Sequence, residues 1–438
     1  MNSNDKKDKT LRFSFLDGIF ASGMTGFTQD YFTPFILYLG ATARQVGFLS
    51  ALPNLFGALM QLKSADITEK LKSRKKVITS FVFLQALMLL PMVALSLLGE
   101  AKIAIFIAIV TLFISLGAFV LPAWGSMMSD IIPVTKRGEY FGWRNRVLGL
   151  VAVVSSFTAG FILYLTNKTN VLLGFAAIFG LAFIFRTISW YFLKRMREPR
   201  LEHKEEDYFS LVDFLSRIRE SNFAQFALFV SLMNFSTYIA SPFFAVLMLR
   251  DLHFSYLLYT VIILSATVTV YLTIGRWGIH ADKVGNIKIL RFTAPLVAIV
   301  PLFWIVDRHP LFLCFAQVFS GFAWAGFNLS ASNFIYDSSS PGKRTRCISY
   351  FNVLSGIFIS AGAILGGFLA PKLPRIFGYN LLTLFLVSSI LRLIAAFLIR
   401  LKIKEVRSVE KVSNNQLFFS MIGIRPIFSD IQRKTPWY

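Results

Sequence analysis

Cysteine is scarce in this chain of 438 residues: Cys314 lies in an apolar run and Cys347 beside a basic loop. Two such residues make no disulfide framework. The four histidines, His203, His253, His280 and His309, are scattered without metal-ligand spacing, so no metal site is expected. The sequence also lacks a phosphate-cradling glycine loop, a nucleotide-binding domain and a Ser/His/Asp set. That argues against an enzyme and against an ATP-driven pump, and no cofactor is expected. Acid is in short supply too. Only 23 Asp and Glu stand against 45 Lys and Arg, for a formal net charge of +22.

What is abundant is apolar surface. Hydrophobic residues make up 55% of the chain, Phe alone occurs 47 times, and the mean hydropathy is +0.62. A soluble core cannot hide so much. About 20 mostly apolar residues cross a bilayer as a helix. Twelve runs meet that rule: 13–40, 44–64, 77–99, 102–132, 139–166, 171–193, 222–249, 254–277, 287–306, 309–336, 346–371 and 379–401. The first is far too long for a signal-peptide core and is read as a retained span. The fold class expected is therefore all-α, a multi-pass membrane protein of twelve transmembrane helices.

With the N-terminus placed in the cytoplasm, only Arg44, Lys102, Lys168, Arg250, Arg308, Lys372 and Arg375 fall outside, which is 7 of the 45 cations against 38 inside. The positive-inside rule then fixes both termini as cytoplasmic. The net charge is loop topology and attraction to anionic membrane lipid, so nucleic acid is excluded as a partner. The expected location is the plasma (inner) membrane, and the expected state a monomer.

The chain repeats itself. "SDIIPVTKRGEYFGWRNRVLG" (129–149) and "YDSSSPGKRTRCISYFNVLSG" (336–356) align at a shift of 207 residues. Asp130 meets Asp337, Lys136 meets Lys343, Arg137 meets Arg344 and Asn145 meets Asn352. "TPF" (33–35) returns as "SPF" (241–243), and Arg186 returns as Arg392. The segment after the second run, "ADITEKLKSRKK" (65–76), answers "GIHADKVGNIKI" (278–289). Two six-helix halves related by a pseudo-two-fold axis along the membrane normal account for this. The expected organisation is a cytoplasmic N-terminus (1–12), a first half (13–193), an amphipathic linker (194–221), a second half (222–401) and a basic tail (402–438).

The region 13–401 resembles the major facilitator superfamily of secondary transporters. The most specific piece is Gly278-x-x-x-Asp282-Lys283-x-Gly285-x-x-Lys288, similar to the family's loop signature. The first-half copy departs from it, with Ala65, Glu69 and Lys72 where the signature has Gly, Asp and Gly. The resemblance implies an inner gate built from Glu69, Arg74, Lys75, Asp130, Lys136 and Arg137 and their counterparts Asp282, Lys283, Lys288, Asp337, Lys343 and Arg344. An acid gains nothing from the positive-inside rule, so Asp130 and Asp337 carry that reading best.

The resemblance also implies a central cavity lined by spans one, four, seven and ten, with five and eleven alongside. The candidates are Trp124, Arg144, Asn145, Asn234, Tyr238, Gln317, Trp324, Asn328 and Asn352. Arg144 and Asn145 sit about 8–10 Å above Glu139 in the fifth span. Asn145 recurs in the second half, whereas Arg144 becomes Phe351, so Arg144 is ranked first for substrate or proton handling, with snorkelling as the alternative. Asp17 and Asp30, about 20 Å apart along one helix, are candidate carriers of a coupling proton, and the choice between them stays open. Gln85 and Asn54 are assigned to helix packing. Arg186 and Arg392 are assigned to snorkelling or an architectural pair.

Leu211, Phe214, Leu215 and Ile218 share one helix face in the linker, with Ser210 or Asp207 as cap, and predict a helix lying on the inner membrane surface. In the tail, "LFFSMIGI" (417–424) is either a short interfacial segment or disordered. The function expected is transport of a small molecule by alternating access, proton-coupled, with efflux of a neutral or amphipathic substrate favoured by the few cations assigned to the cavity. A flippase for lipid-linked substrates on the same fold and a non-transporting receptor or scaffold are the competing readings.

Overall fold

Lipid offers no partner to open backbone groups, and the chain answers with helix almost throughout. The computed structural model describes residues 3–99, 102–132, 137–199, 210–216, 220–339, 343–407, 409 and 412–421. Lys136, Asp207 and Ile218 lie outside the described residues.

The first half comprises α1 (Ser3–Thr28), α2 (Phe32–Tyr38), α3 (Ala43–Leu71), α4 (Arg74–Leu87), α5 (Leu89–Leu98), α6 (Ile103–Ile131), α7 (Arg137–Thr166) and α8 (Val171–Arg195). The short α9 (Leu211–Ser216) leads to the second half. That half comprises α10 (Asn222–Tyr238), α11 (Phe243–Val246), a π-helical turn (Leu247–Asp251), α12 (Tyr256–Val284), α13 (Asn286–Val306), α14 (Pro310–Ser338), α15 (Arg344–Leu369) and α16 (Asn380–Lys402). A tail helix, α17 (Asn414–Met421), follows. Among the described residues ten helical segments are long and apolar enough to cross a membrane. The α1–α2 pair and α3 complete the twelve spans in two halves of six.

The repeated Pro34 and Pro242 mark the same break in each half. Proline has no N–H to give, and the helix is interrupted at 29–31, shortly before Pro34, and at 239–242, ending on Pro242. The first span is therefore α1 and α2, not one rod.

The segments 65–76 and 278–289 are not open loops, as their charge suggests. α3 runs on to Leu71 and α12 to Val284. The chain reverses within one or two residues of positive φ, Lys72 at 49° and Gly285 at 87°. Ser73 then caps α4 by accepting from the Lys76 N–H at 3.1 Å. Glu405 caps α13 by accepting from the Ile287 N–H at 2.8 Å.

The halves meet along two helix pairs, α3 with α15 and α7 with α12. Small residues allow the approach: a Cβ on Gly47 would lie 2.6 Å from the Ala363 carbonyl. At the end remote from the termini, here the far end, one core joins both halves. Tyr31, Phe35, Phe106 and Phe175 pack there with Phe243, Tyr259, Trp304 and Phe385. At the opposite, basic end the buried cores are separate, apart from half-buried Leu62 of α3, which packs against the second. Val77, Phe119, Met127 and Ile131 belong to the first half, and Phe226, Leu290, Phe327 and Phe334 to the second. α6 and α14 make at most marginal contact. The bundle is thus sealed at the far end and parted between α6 and α14.

Two terminal elements depart from their expected places. Ser210 caps α9, accepting from the Asp213 N–H at 3.0 Å. Phe214 is buried against Phe223 and Tyr350 instead of facing lipid. An aromatic ring gains more from a closed protein groove than from an interface that water reaches. Leu417 and Met421 of α17 are buried with Trp277, Ala281 and Val284 at the basic end of the second half.

Candidate functional site

A cavity of about 430 Å³ opens inside the first half, lined from α1, α4, α6, α7 and α8. Most of its wall is apolar, including Met24, Val82, Phe113, Val120 and Leu121. The charged groups in the wall are Asp17, Arg144 and Arg186. All three are under 10% exposed.

A chain of hydrogen bonds runs along one side. Ser189 Oγ donates to Asp17 Oδ1 at 2.7 Å and accepts from Arg186 Nη1 at 3.1 Å. Arg186 Nε donates to Gln85 Oε1 at 2.8 Å, and Gln85 Nε2 donates to the Phe113 carbonyl at 3.0 Å. Ion burial is tolerable only where such partners exist. Arg186 therefore does not snorkel. Its acceptors lie inside the bundle, and so do those of Arg392, which donates to Ser388 Oγ and to the Val297 and Thr237 carbonyls. Gln85 does join α4 to α6, and it also holds Arg186.

Arg144 faces the chain from α7. Its guanidinium lies over the Trp124 ring, 4.8 Å from the centroid, and Nη2 donates to the Ser14 carbonyl at 3.2 Å. Its Nε is buried without a hydrogen-bond partner. Asp17, Trp124 and Arg144 are thus brought together. Asn145 is exposed and outside the cavity wall, because it follows Arg144 by one residue and points about 100° away.

The second-half candidates Asn234, Tyr238, Gln317, Trp324 and Asn328 do not line this cavity. Trp324 packs edge-on against Phe327, and Asn328 is exposed. Asn352 donates to Gln61 Oε1 at 2.9 Å, a link between α15 and α3.

Asp30 sits elsewhere, at the far-end seam, because the chain breaks between α1 and α2. It accepts from Ser156 Oγ at 3.0 Å, while its carbonyl accepts from the Tyr259 hydroxyl at 2.9 Å. Tyr31 beside it donates to the Ser156 carbonyl and lies 2.9 Å from Thr260 Oγ1. One face of α12 thereby latches onto the α1–α2 break.

The charged residues of the basic end form two clusters, each within one half. Arg74 Nη1 is 2.6 Å from Asp130 Oδ2, and Glu198 takes the Ser73 hydroxyl and the Arg74 N–H at 2.6 and 2.5 Å. In the second half Arg407 pairs with Asp337 at 2.6 Å and Asp282 at 3.3 Å, and Asn286 Nδ2 donates to Asp337 at 2.7 Å. The two carboxylates raise the Arg407 pKa above its ordinary value, the hydrogen bond to Asp337 first among the causes. Glu69, Lys75 and Lys288 make no ion pair among the described residues. Lys283 lies beside Asp282 at the end of α12. Arg137 and Arg344 stand at the first turns of α7 and α15.

Glu198, Glu405 and Arg407 were not among the residues expected to matter. The signal was present: "REPR" (197–200) and "KEVR" (404–407) repeat at the same shift of 207. It lay just past the last apolar run of each half, where loop charge is the default reading.

A family model described as Major Facilitator Superfamily matches residues 18–306 and again 226–435. No curated protein matches the chain. Solved structures do. A point-mutant form of the nucleoside transporter NupG superposes with a TM-score of 0.69 at 13% identity, over 90% of this chain and 98% of that one. A bacterial homologue of the human lysosomal transporter Spinster, inward-facing and unoccupied, gives 0.63 at 14%, over 91% and 97%. The human organic anion transporter MFSD10 gives 0.61 at 14%, over 90% and 99%.

Proposed function

The chain belongs to the Major Facilitator Superfamily, and from that premise we propose that it moves a small organic molecule by alternating access, coupled to protons. It is a multi-pass membrane protein and a secondary transporter. The basic end is taken as cytoplasmic, where 38 of the 45 cations then lie.

One observation carries the reading. The halves share a single core at the far end and keep separate cores at the basic end. A shared core on one side of a buried, charged cavity is half of an alternating-access cycle. Its counterpart would seal α6 against α14 and part Tyr31 from Thr260. Each basic-end cluster joins helices of one half, so each half can tilt as a unit without breaking its own ion pairs.

Asp30 is the proposed proton carrier. It lies where the halves must part, its partner is a hydroxyl, and it makes no ion pair among the described residues. Asp17, by contrast, is bridged to Arg186 through Ser189. Taking up a proton at Asp30 removes a buried charge from the seam, which couples protonation to the state of the latch. The argument for efflux of a neutral substrate rests on a cavity poor in charge. The wall holds two guanidiniums and a carboxylate, and the reading proposed here leaves the direction of transport open.

The test uses vesicles carrying the reconstituted protein and an internal pH dye, challenged with a chemically varied panel of small organic solutes. Substrate-driven proton movement should vanish in Asp30→Asn while counterflow of the same solute persists. Unchanged proton movement in Asp30→Asn would remove Asp30 from the mechanism.

A further inference from the structure

The cavity carries a charge that its own wall does not balance. Asp17 and Arg186 are tied through Ser189, and Gln85 occupies the rest of the Arg186 fork. That leaves Arg144. It is 7% exposed, so it does not reach water by snorkelling. No carboxylate among the described residues lies within ion-pair distance of it. Its direct contacts are the Ser14 carbonyl, the Trp124 ring and the Tyr140 phenol, and Asp17, the carboxylate nearest in effect, is shared with Arg186, so two guanidiniums face one negative charge. Its Nε stays buried and unpartnered. An uncompensated guanidinium at membrane depth is costly.

The fold does not require it there. The matching place in the second half holds Phe351, stacked on Phe226 with 6.1 Å between ring centroids. The same helix position is satisfied by an apolar ring in a filled core. The charge therefore belongs to what the first half binds, not to what holds it up.

Resting on the reading of this cavity as the substrate site, we propose that the substrate is an organic monoanion whose negative group pairs with Arg144. Its apolar body lies along the wall that Trp124, Phe113 and Leu121 form. One uncompensated guanidinium calls for one negative charge. Guanidinium recognises a planar carboxylate with paired donors, and the apolar wall around the half-buried indole suits an aromatic or aliphatic body beside it. A cation is repelled by the excess positive charge. A neutral molecule leaves the guanidinium uncompensated.

The test is thermal stabilisation of the detergent-purified full chain by matched probes: butyrate, benzoate and naphthoate, their amides, and butylamine and benzylamine. At least one carboxylate should stabilise the protein and its amide should not. Arg144→Gln should weaken that carboxylate by about tenfold or more, the scale of a charged hydrogen-bonded pair, and Arg144→Lys should restore part of it. Should Arg144→Gln give little folded protein, the Arg144→Lys comparison carries the test. Stabilisation by an amide or amine in preference to every carboxylate overturns the proposal, as does an unchanged carboxylate affinity in Arg144→Gln. So does failure of all three carboxylates. Counterflow of whichever probe binds separates the two readings. A carboxylate that binds but is not moved sinks transport and keeps the anion site. A neutral probe that is moved does the reverse.

Discussion

The Tyr31 and Thr260 hydroxyls lie 2.9 Å apart, one from each half, at the sealed far end. If this contact latches one state, it should show coupling. Tyr31→Phe and Thr260→Val should each shift the population toward the state open at the far end. Their double mutant should show a coupling energy of about 0.5–1.5 kcal/mol. The readout is the ratio of open to closed far-end populations. Strict additivity would mean that the two side chains do not act together.

The basic-end clusters should differ in strength. The Arg74 side chain is 2% exposed, whereas that of Arg407 is 39% exposed. Asp130→Ala takes the closer carboxylate from a buried guanidinium, leaving it Glu198 at 3.8 Å, and should cost about 3 kcal/mol. Asp337→Ala leaves a cation that water can solvate and should cost about 1 kcal/mol. Melting in detergent checks the order, and equal losses would deny the burial argument.

The two reversals of chain offer a matched pair. Lys72 holds a left-handed φ of 49° that glycine adopts freely, so Lys72→Gly should stabilise by up to about 1 kcal/mol. Gly285 sits at φ 87° and ψ 154°, and a Cβ there would lie 2.5 Å from the Glu405 carboxylate that caps α13. Gly285→Ala should therefore destabilise by about 1–3 kcal/mol. Thermal melts of both variants decide this, and the same sign for both would contradict it.

Arg186 and Arg392 match in sequence but not in surroundings. Arg392 bonds a hydroxyl and backbone carbonyls away from the cavity, while Arg186 lies in its wall. Arg392→Gln should lower the melting temperature and leave the affinity for a bound solute unchanged. Arg186→Gln should lower the melting temperature and also change affinity, by about tenfold. Isothermal titration separates the two effects.

The fold was legible because lipid leaves few alternatives. Apolar run length sets helix length, and the helices from Ile103, Val171 and Asn286 begin within a residue of where their runs begin. The repeat was legible because polar matches such as Asp130 with Asp337 do not arise by chance in an apolar chain. The site was legible only in part. Arg144 stood out by its asymmetry. Arg186 did not, because nothing local shows that α4 brings Gln85, and α1 Asp17, to the same spot. That Asn145 does not line the first-half cavity was not legible, because depth along a helix was known and direction around it was not. The caps by Glu198 and Glu405 join residues more than a hundred positions apart, which no local pattern discloses.

The most direct test follows two distances between the halves. In a chain with Cys314 and Cys347 replaced, one pair of spin labels goes on Lys168 and His309 at the far end. A second pair goes on Lys76 and Lys343 at the basic end. Lowering the pH, or adding whichever solute binds, should lengthen the first distance and shorten the second together. Both distances fixed under every condition, or both changing in the same direction, would contradict alternating access.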